Sequence, residues 1–257
     1  MNRVKPILRW PGGKSRMLPV LLPLIAAAPH TCYCEPFSGG LAVLLAKPRS
    51  KREVINDING DLVALYLNVQ NHLPEIERQL DLVLCSREVF FHLRDQPGAT
   101  QIQRSISFLV RNILSFGGGM HSFGVAKTAG GGGMFHRERL RERLAAVHER
   151  LDGVTIEHLP YERCLKNQDG RDTLFFCDPP YLDAPTGAYQ GWSRKEMASF
   201  AAQTQALKGK WIVTVNDSEF TREVFKGCTI RSVTTQNRLA NNRTHSQAKF
   251  GELIVTP

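Results

Sequence analysis

Along this chain, short continuous apolar runs alternate with longer stripes of apolar residues three and four apart, the pattern of strands and helices taking turns. After a turn at Trp10 to Lys14, the mostly apolar stretch Ser15 to Ala27 predicts a helix and Thr31 to Glu35 a short strand. Pro36-Phe37-Ser38-Gly39-Gly40 interrupts. The small apolar run Leu41 to Ala46 then reads as a further helix, and Glu53 to Asn56 as a second strand closed by Asp57, which completes a βαβ unit. From Asn59 to about Leu114 the period is helical, with Leu62, Leu65, Tyr66 and Val69 on one stripe and Phe108, Leu109 and Ile113 on another. Ser115 to Gly133 carries too many glycines for a helix or a central strand and predicts a long loop, of the kind that is usually functional or disordered. Met134 to Leu151 reads as a basic helix. Alternation then resumes with strands at Val154 to Glu157 and Thr173 to Cys177, a helix from Ser193 to Leu207, a strand from Trp211 to Val215, a helix from Glu219 to Phe225, and strands near Thr229 to Thr234 and Glu252 to Val255. The sum is one doubly wound α/β domain built from residues 1–70 and 151–257, with a mainly helical insertion at 71–150.

Composition narrows the class without naming a task. With 257 residues and 42% apolar content the chain can bury a substantial core, which argues against a disordered or fibrous protein. The balance of 33 Lys+Arg against 24 Asp+Glu gives a formal charge of +9, which favours polyanionic partners, although charge alone does not identify one. The cysteines at 32, 34, 85, 164, 177 and 228 form no Cys-x-x-Cys pair and have no histidine at ligand spacing, so free thiols and no bound metal are expected. Cys32, Cys34 and Cys177 lie in strand-like runs and read as small buried hydrophobes. The apolar stretch Met17 to Ala28 is broken by Pro19 and Pro23 and is too short to span a bilayer, so no membrane partner and a cytoplasmic protein are expected.

The chemistry lies where strands end. Glu35 to Gly40 follows a first strand, where glycines let a ligand approach the backbone closely; Gly39-Gly40 could equally make only a tight turn. Asp57, closing the second strand, is placed to accept hydrogen bonds from the two hydroxyls of a ribose, and together the two features indicate an adenosine-containing cofactor. Trp10-Pro11-Gly12-Gly13-Lys14-Ser15 resembles a phosphate loop but is not one, because the required first glycine is Leu8. It is either a loop whose amides and Lys14 meet an anion at a helix N-terminus, or a surface turn with an incidental lysine.

Asp178-Pro179-Pro180-Tyr181 is the sharpest signal. It sets a carboxylate, two rigid residues and an aromatic ring at the carboxyl end of a buried strand. The prolines fix φ, so the Pro179 carbonyl and the Asp178 carboxylate are two acceptors facing one spot, suited to the two N–H donors of an exocyclic amine. Tyr181 is placed to stack on a base flipped out of a duplex. The bland reading is a strand-ending acidic turn.

Taken in this order, the motifs resemble those of the DNA adenine methyltransferase family of the Asp-Pro-Pro-Tyr type, over nearly the whole chain. The resemblance implies a Rossmann-like methyltransferase domain using S-adenosylmethionine, with the insertion at 71–150 as the target-recognition region and adenine N6 in double-stranded DNA as the acceptor. It assigns cofactor contacts to Trp10, Gly13, Lys14, Glu35, Pro36, Phe37, Ser38, Gly39, Gly40, Asp57 and Asp178, and catalysis to Asp178, Pro179, Pro180 and Tyr181. Direct transfer from a sulfonium needs neither a metal nor a covalent intermediate. The family's GATC-reading members share an Asn-Gly-containing loop that is absent here; Ser115 to Gly133 stands in its place, which suggests a different branch, such as one met in phages, and leaves the recognised sequence open.

DNA contact is expected from that loop, through Ser122 and Lys127, and from Arg111, Arg137, Arg141, Arg238 and Arg243. The helical arginines from 137 to 150, interleaved with Glu138, Glu142 and Glu149, read equally well as a solvated face. The same chemistry on cytosine N4, an RNA adenine or a protein glutamine, or a catalytically silent DNA-binding protein of this fold, remain alternatives. Nothing in the residues fixes an oligomeric state, and a monomer is the working expectation.

Overall fold

The structure, a computed structural model, describes residues 3–124, 135–182, 191–235 and 250–257. Its helices are α1 (Leu18–Ala27), α2 (Gly60–Asn71), α3 (Leu73–Asp81), α4 (Arg87–Asp95), α5 (Gln101–Leu114), α6 (Arg137–Leu151), α7 (Tyr161–Gln168), α8 (Arg194–Gln205) and α9 (Glu219–Val224). Its strands are β1 (Cys32–Glu35), β2 (Arg52–Asn56), β3 (Thr155–Glu157), β4 (Thr173–Cys177), β5 (Lys210–Asn216), β6 (Thr229–Thr235) and β7 (Phe250–Thr256). This is the mixed α/β, Rossmann-like class that the alternating pattern predicts. Backbone proximity sorts the chain into two compact units, one of Met1–Ser15, Gly39–Lys47 and Asp57–His158, the other of Arg16–Ser38, Pro48–Asn56 and Leu159–Pro257.

The first unit is mainly helical. Asn59 caps α2 by accepting from the amides of Asp61 and Leu62, and Thr100 with Gln103 forms a capping box that starts α5. The predicted stripe of Leu62, Leu65, Tyr66 and Val69 is buried, as are Ile106, Leu109 and Val110 of α5 and Leu140, Leu144, Val147 and Leu151 of α6. Such stripes are what hold short helices in place, since isolated helices of this length are marginal in water.

In the second unit six strands follow the order β2-β1-β4-β5-β7-β6. Parallel pairing joins β2, β1, β4 and β5, while β7 runs antiparallel to both β5 and β6. Strand β4 is buried along its whole length, as a strand covered on both faces must be. The chain leaves β1 toward β2 on one side, and β4 lies on the other. The carboxyl ends of β1 and β4 therefore flank a topological switch point, where open α/β sheets bind ligands.

Three sequence expectations change. Leu41 to Ala46 forms hydrogen-bonded turns, with Leu45 N donating to Leu41 O and Lys47 N to Val43 O, rather than a helix. Leu41 enters with φ of 58°, and the run is too short for helix propagation to offset its nucleation. The first helix begins at Leu18, and Lys14–Arg16 is a separate 3-10 turn. Helix α7 is an element the sequence reading left out, although Cys164, Leu165 and Gln168 on its inner side are buried at helical spacing. The cysteines are all free thiols. Cys34 and Cys177 are buried and burial pushes both thiols well up, so neither is a nucleophile near neutral pH.

Candidate active site

In the first unit the segment before α1 is built around one turn. Gly13 N donates to Trp10 O at 3.1 Å, with Pro11 and Gly12 as the central pair and Gly12 at φ 74°, the left-handed value that a Pro-Gly turn of type II needs at its second corner. Lys14 is buried and its ammonium donates to Gly12 O at 2.7 Å, which excludes an incidental surface lysine. Lys14 opens the 3-10 turn Lys14–Arg16, which precedes α1. Asn112, fully buried on α5, pairs its side-chain amide with both peptide groups of Arg9, accepting from Arg9 N at 2.9 Å and donating to Arg9 O at 3.1 Å. It also donates to Gly118 O at 3.1 Å.

Trp10 lies on the glycines that sequence reasoning singled out. A Cβ on Gly39 would come within 2.9 Å of the indole and one on Gly40 within 2.8 Å of the Trp10 Cβ, while Gly39 itself has φ of 45°. Gly39 is thus required both for conformation and for close approach, and Gly40 for close approach. Asp57 is buried and uses both carboxylate oxygens to fix neighbouring backbone, accepting from Gly39 N at 3.0 Å and Asn59 N at 2.9 Å. Tyr66 of α2 donates to Gly39 O at 2.7 Å. The next residue after Asp57 is Ile58, a large apolar side chain left 60% exposed beside a buried carboxylate. Sequence reading took Tyr66 only as part of an apolar stripe and missed Ile58; an isoleucine in the loop after an acid-closed strand was the available sign.

In the second unit, Glu35 is buried at the end of β1 and accepts from the Tyr33 hydroxyl at 2.8 Å. Asn56, closing β2, steadies the following loop by donating to Pro36 O at 3.0 Å, and its own carbonyl accepts from Ser38 N at 2.9 Å. Phe37 is the hub of an aromatic group, with ring centroids 5.3 Å from Tyr161, 5.6 Å from Trp192 and 5.7 Å from Phe200. Burial lifts the Tyr161 phenol to about 12, so it stays neutral.

Asp178 follows β4 directly, and the Thr214 hydroxyl on the neighbouring strand β5 donates to its Oδ1 at 2.8 Å. Pro179 is buried and Pro180 half-buried. Trp192 N donates to Tyr181 O at 3.3 Å, and Leu182 N donates to the Asn216 side chain at 3.3 Å, so the tetrapeptide is tied at both ends. Burial, the Asp178 charge and Glu252 raise the Tyr181 phenol well above its ordinary value. Thr214, Asn216 and Glu252 carried no motif. Only the strand order brings them to this loop.

Of the residues expected to meet DNA, Ser122 is exposed just before the end of a short return in which Ser115 bridges to Phe123. Arg111 is half-buried with its Nε donating to Ser107 O at 3.4 Å, and burial lowers its pKa. Arg137 donates to Val83 O at 2.6 Å and Arg141 pairs with Asp81; both guanidinium groups are exposed. Arg150, within the same arginine run, is buried and donates to Leu44 O at 2.9 Å, so it belongs to the core and not to a DNA-facing surface. Lys127, Arg238, Arg243 and residues 125–133 of the glycine-rich loop lie outside the described residues.

Comparison with known proteins gives a consistent picture. The chain is 27% identical to a DNA adenine methylase of Haemophilus influenzae, over 98% of this chain and 93% of that protein. It is 25% identical to a type II methyltransferase of Lactococcus lactis subsp. cremoris, over 98% and 95% of the two chains. Against a DNA adenine methylase of Vibrio cholerae the identity is 25%, over 99% and 96%. The family model for the D12 class N6 adenine-specific DNA methyltransferases matches residues 10–239, a span running from Trp10 past the Asp178–Tyr181 motif. The chain therefore belongs to the D12 class N6 adenine-specific DNA methyltransferases.

Proposed function

We propose that this DNA adenine methyltransferase uses S-adenosylmethionine and acts on a flipped adenine within one short sequence of double-stranded DNA. The observation that carries this reading is the pairing of β1 with β4, which puts the Pro36–Ser38 and Asp178–Tyr181 loops at neighbouring carboxyl ends beside the switch point. The residues present fit an adenosine-containing donor. Asp57 would take the ribose hydroxyls, and exposed Ile58 offers an apolar face to the adenine. Trp10, Gly13, Lys14, Gly39 and Gly40, with Glu35 to Ser38 from β1, would hold the rest. When bound, S-adenosylmethionine supplies a methyl group on a sulfonium, already a strong donor.

Asp178 and the Pro179 carbonyl hold the amine by its two N–H groups, leaving its lone pair directed outward, while the Thr214 hydroxyl helps orient the carboxylate by donating to its Oδ1. Tyr181 stacks on the base, which offsets part of the few kcal/mol that unstacking costs. Residues 71–150 serve as the target-recognition region, with Arg111, Ser122, Arg137 and Arg141 meeting DNA. Arg137 and Arg141 are already engaged with Val83 and Asp81, but exposed pairs of this sort cost only about 0–1 kcal/mol to exchange for a phosphate.

The test is to expose unmethylated bacterial DNA to the enzyme and S-adenosylmethionine and sequence it by a method that detects modified bases. N6-methyladenine within one recurrent short sequence is expected. Methylcytosine, or no modification, overturns the reading. A second measurement addresses the cofactor residues: Gly39→Ala forces Trp10 aside at a positive-φ position, and titration calorimetry should find S-adenosylmethionine affinity reduced about tenfold or more, since the cost of the Cβ is on the order of 1–2 kcal/mol.

A further inference from the structure

Thr214 and Asn216 are two residues apart on β5 and so share a face of the sheet. In the antiparallel ladder with β7, Thr214 stands opposite Ile254 and Asn216 opposite Glu252, which puts the Glu252 side chain on that same face. The face already holds both ends of the base-holding loop, Asp178 through the Thr214 hydroxyl and Leu182 through the Asn216 amide oxygen. Tyr181 lies between these two ties. Its hydroxyl oxygen and Glu252 Oε2 are both sealed from water. A phenol and a carboxylate brought together away from water are a matched donor and acceptor, and such charge-assisted bonds are roughly twice as strong as neutral ones.

We propose that Glu252 is the positioning residue of the catalytic loop, its carboxylate accepting a hydrogen bond from the Tyr181 hydroxyl and so fixing the plane of the ring against which the target base lies. This rests on the methyl-transfer reading above. Tyr181 then acts through its ring face alone. Its hydroxyl is an anchor, consistent with the rise in its pKa caused first by burial, then by the Asp178 charge, then by Glu252, and it takes no part in proton transfer. Glu252 itself touches neither base nor donor.

The experiment compares Glu252→Ala, Glu252→Gln, Tyr181→Phe and the double variant Tyr181→Phe/Glu252→Ala in transfer of labelled methyl to unmethylated bacterial DNA. Glu252→Ala should lower kcat about tenfold with KM for S-adenosylmethionine within about twofold. Glu252→Gln, which keeps an acceptor oxygen, should recover most of that loss, and the double variant should be no slower than the slower single one. Losses that multiply, a Gln variant as impaired as Ala, or an effect confined to KM would overturn the proposal. A readout independent of turnover is the fluorine spectrum of protein carrying 3-fluorotyrosine at its five tyrosines, with Tyr181→Phe assigning one line. Glu252→Gln must move that line, and an unmoved line refutes the contact even where activity has changed. If the parent enzyme transfers no label to DNA, it is the methyl-transfer reading that fails, while the fluorine line still decides the contact.

Discussion

Replacing Asp178 by alanine lowers methyl transfer by about 10²–10³-fold, the loss typical of one preorganised polar partner at a reacting centre. Affinity for S-adenosylmethionine should change far less. Asp178 is fixed before substrate arrives, since Thr214 donates to one of its carboxylate oxygens from the adjacent strand. What the substitution removes is an acceptor for the amine and the orientation that goes with it. Single-turnover rates with labelled donor, alongside calorimetric titration of the cofactor, separate the two. The proposed division of labour predicts a fall in kcat with cofactor binding retained; near-normal transfer would sink the role given to Asp178. Thr214→Val should reproduce a smaller version of the same loss, because the carboxylate remains but loses the hydroxyl that donates to its Oδ1.

The second large effect is on stability. Asn112→Ala removes three hydrogen bonds at a fully buried position and leaves the peptide groups of Arg9 and the Gly118 carbonyl without that partner. Orphaned buried groups cost about 1–3 kcal/mol each before relaxation, and a net loss of about 3–5 kcal/mol is expected. For a chain of this size that lowers the melting temperature by roughly 6–20 °C. Asn71→Ala, which loses only solvent-exposed bonds on α2, is the control and should stay within about 0.5 kcal/mol. Because Arg9 is followed by Trp10, the Asn112 variant should also bind cofactor more weakly under conditions where it remains folded. Thermal melts with and without S-adenosylmethionine would reveal this as a smaller ligand-induced shift than the parent enzyme gives.

What the sequence could tell follows the range of the interactions. Glu35 to Gly40, Asp57 and Asp178 to Tyr181 were legible because each is a short segment whose meaning is local: a strand ends, and glycines, an acid or prolines follow. The strands were legible too, since β4 and β5 are continuous apolar runs. Asn112, Thr214 and Glu252 were not. Asn112 matters through residues 103 positions away, and nothing in a helical Arg-Asn-Ile tells that its amide mimics a strand partner. Thr214 and Glu252 read as ordinary strand residues until the order β4-β5-β7 sets them beside the loop. Period alone also misjudged Leu41 to Ala46, where the left-handed Leu41 stands against the helix that the apolar run suggests, and the arginine run of α6, where Arg150 is buried while Arg137, Arg139, Arg141 and Arg143 are exposed. Charge composition could not distinguish these, because a guanidinium paired with a carbonyl in the core counts the same as one in solvent.

The place of β7 also bears on how the enzyme comes into being. Strand β7 is made after β6 yet is an inner one, inserted between β5 and β6. During synthesis the edge of β5 must wait, apolar and unpaired, until the stretch ending at Thr256 has emerged, a delay of a few seconds at ordinary translation rates. Over that interval the nascent chain presents an open strand edge of the kind that recruits other chains, and the carboxylate proposed to set the catalytic tyrosine does not yet exist. Methylating power should therefore appear only after β7 has emerged, and a ribosome stalled short of β7 should leave a product that is insoluble as well as idle.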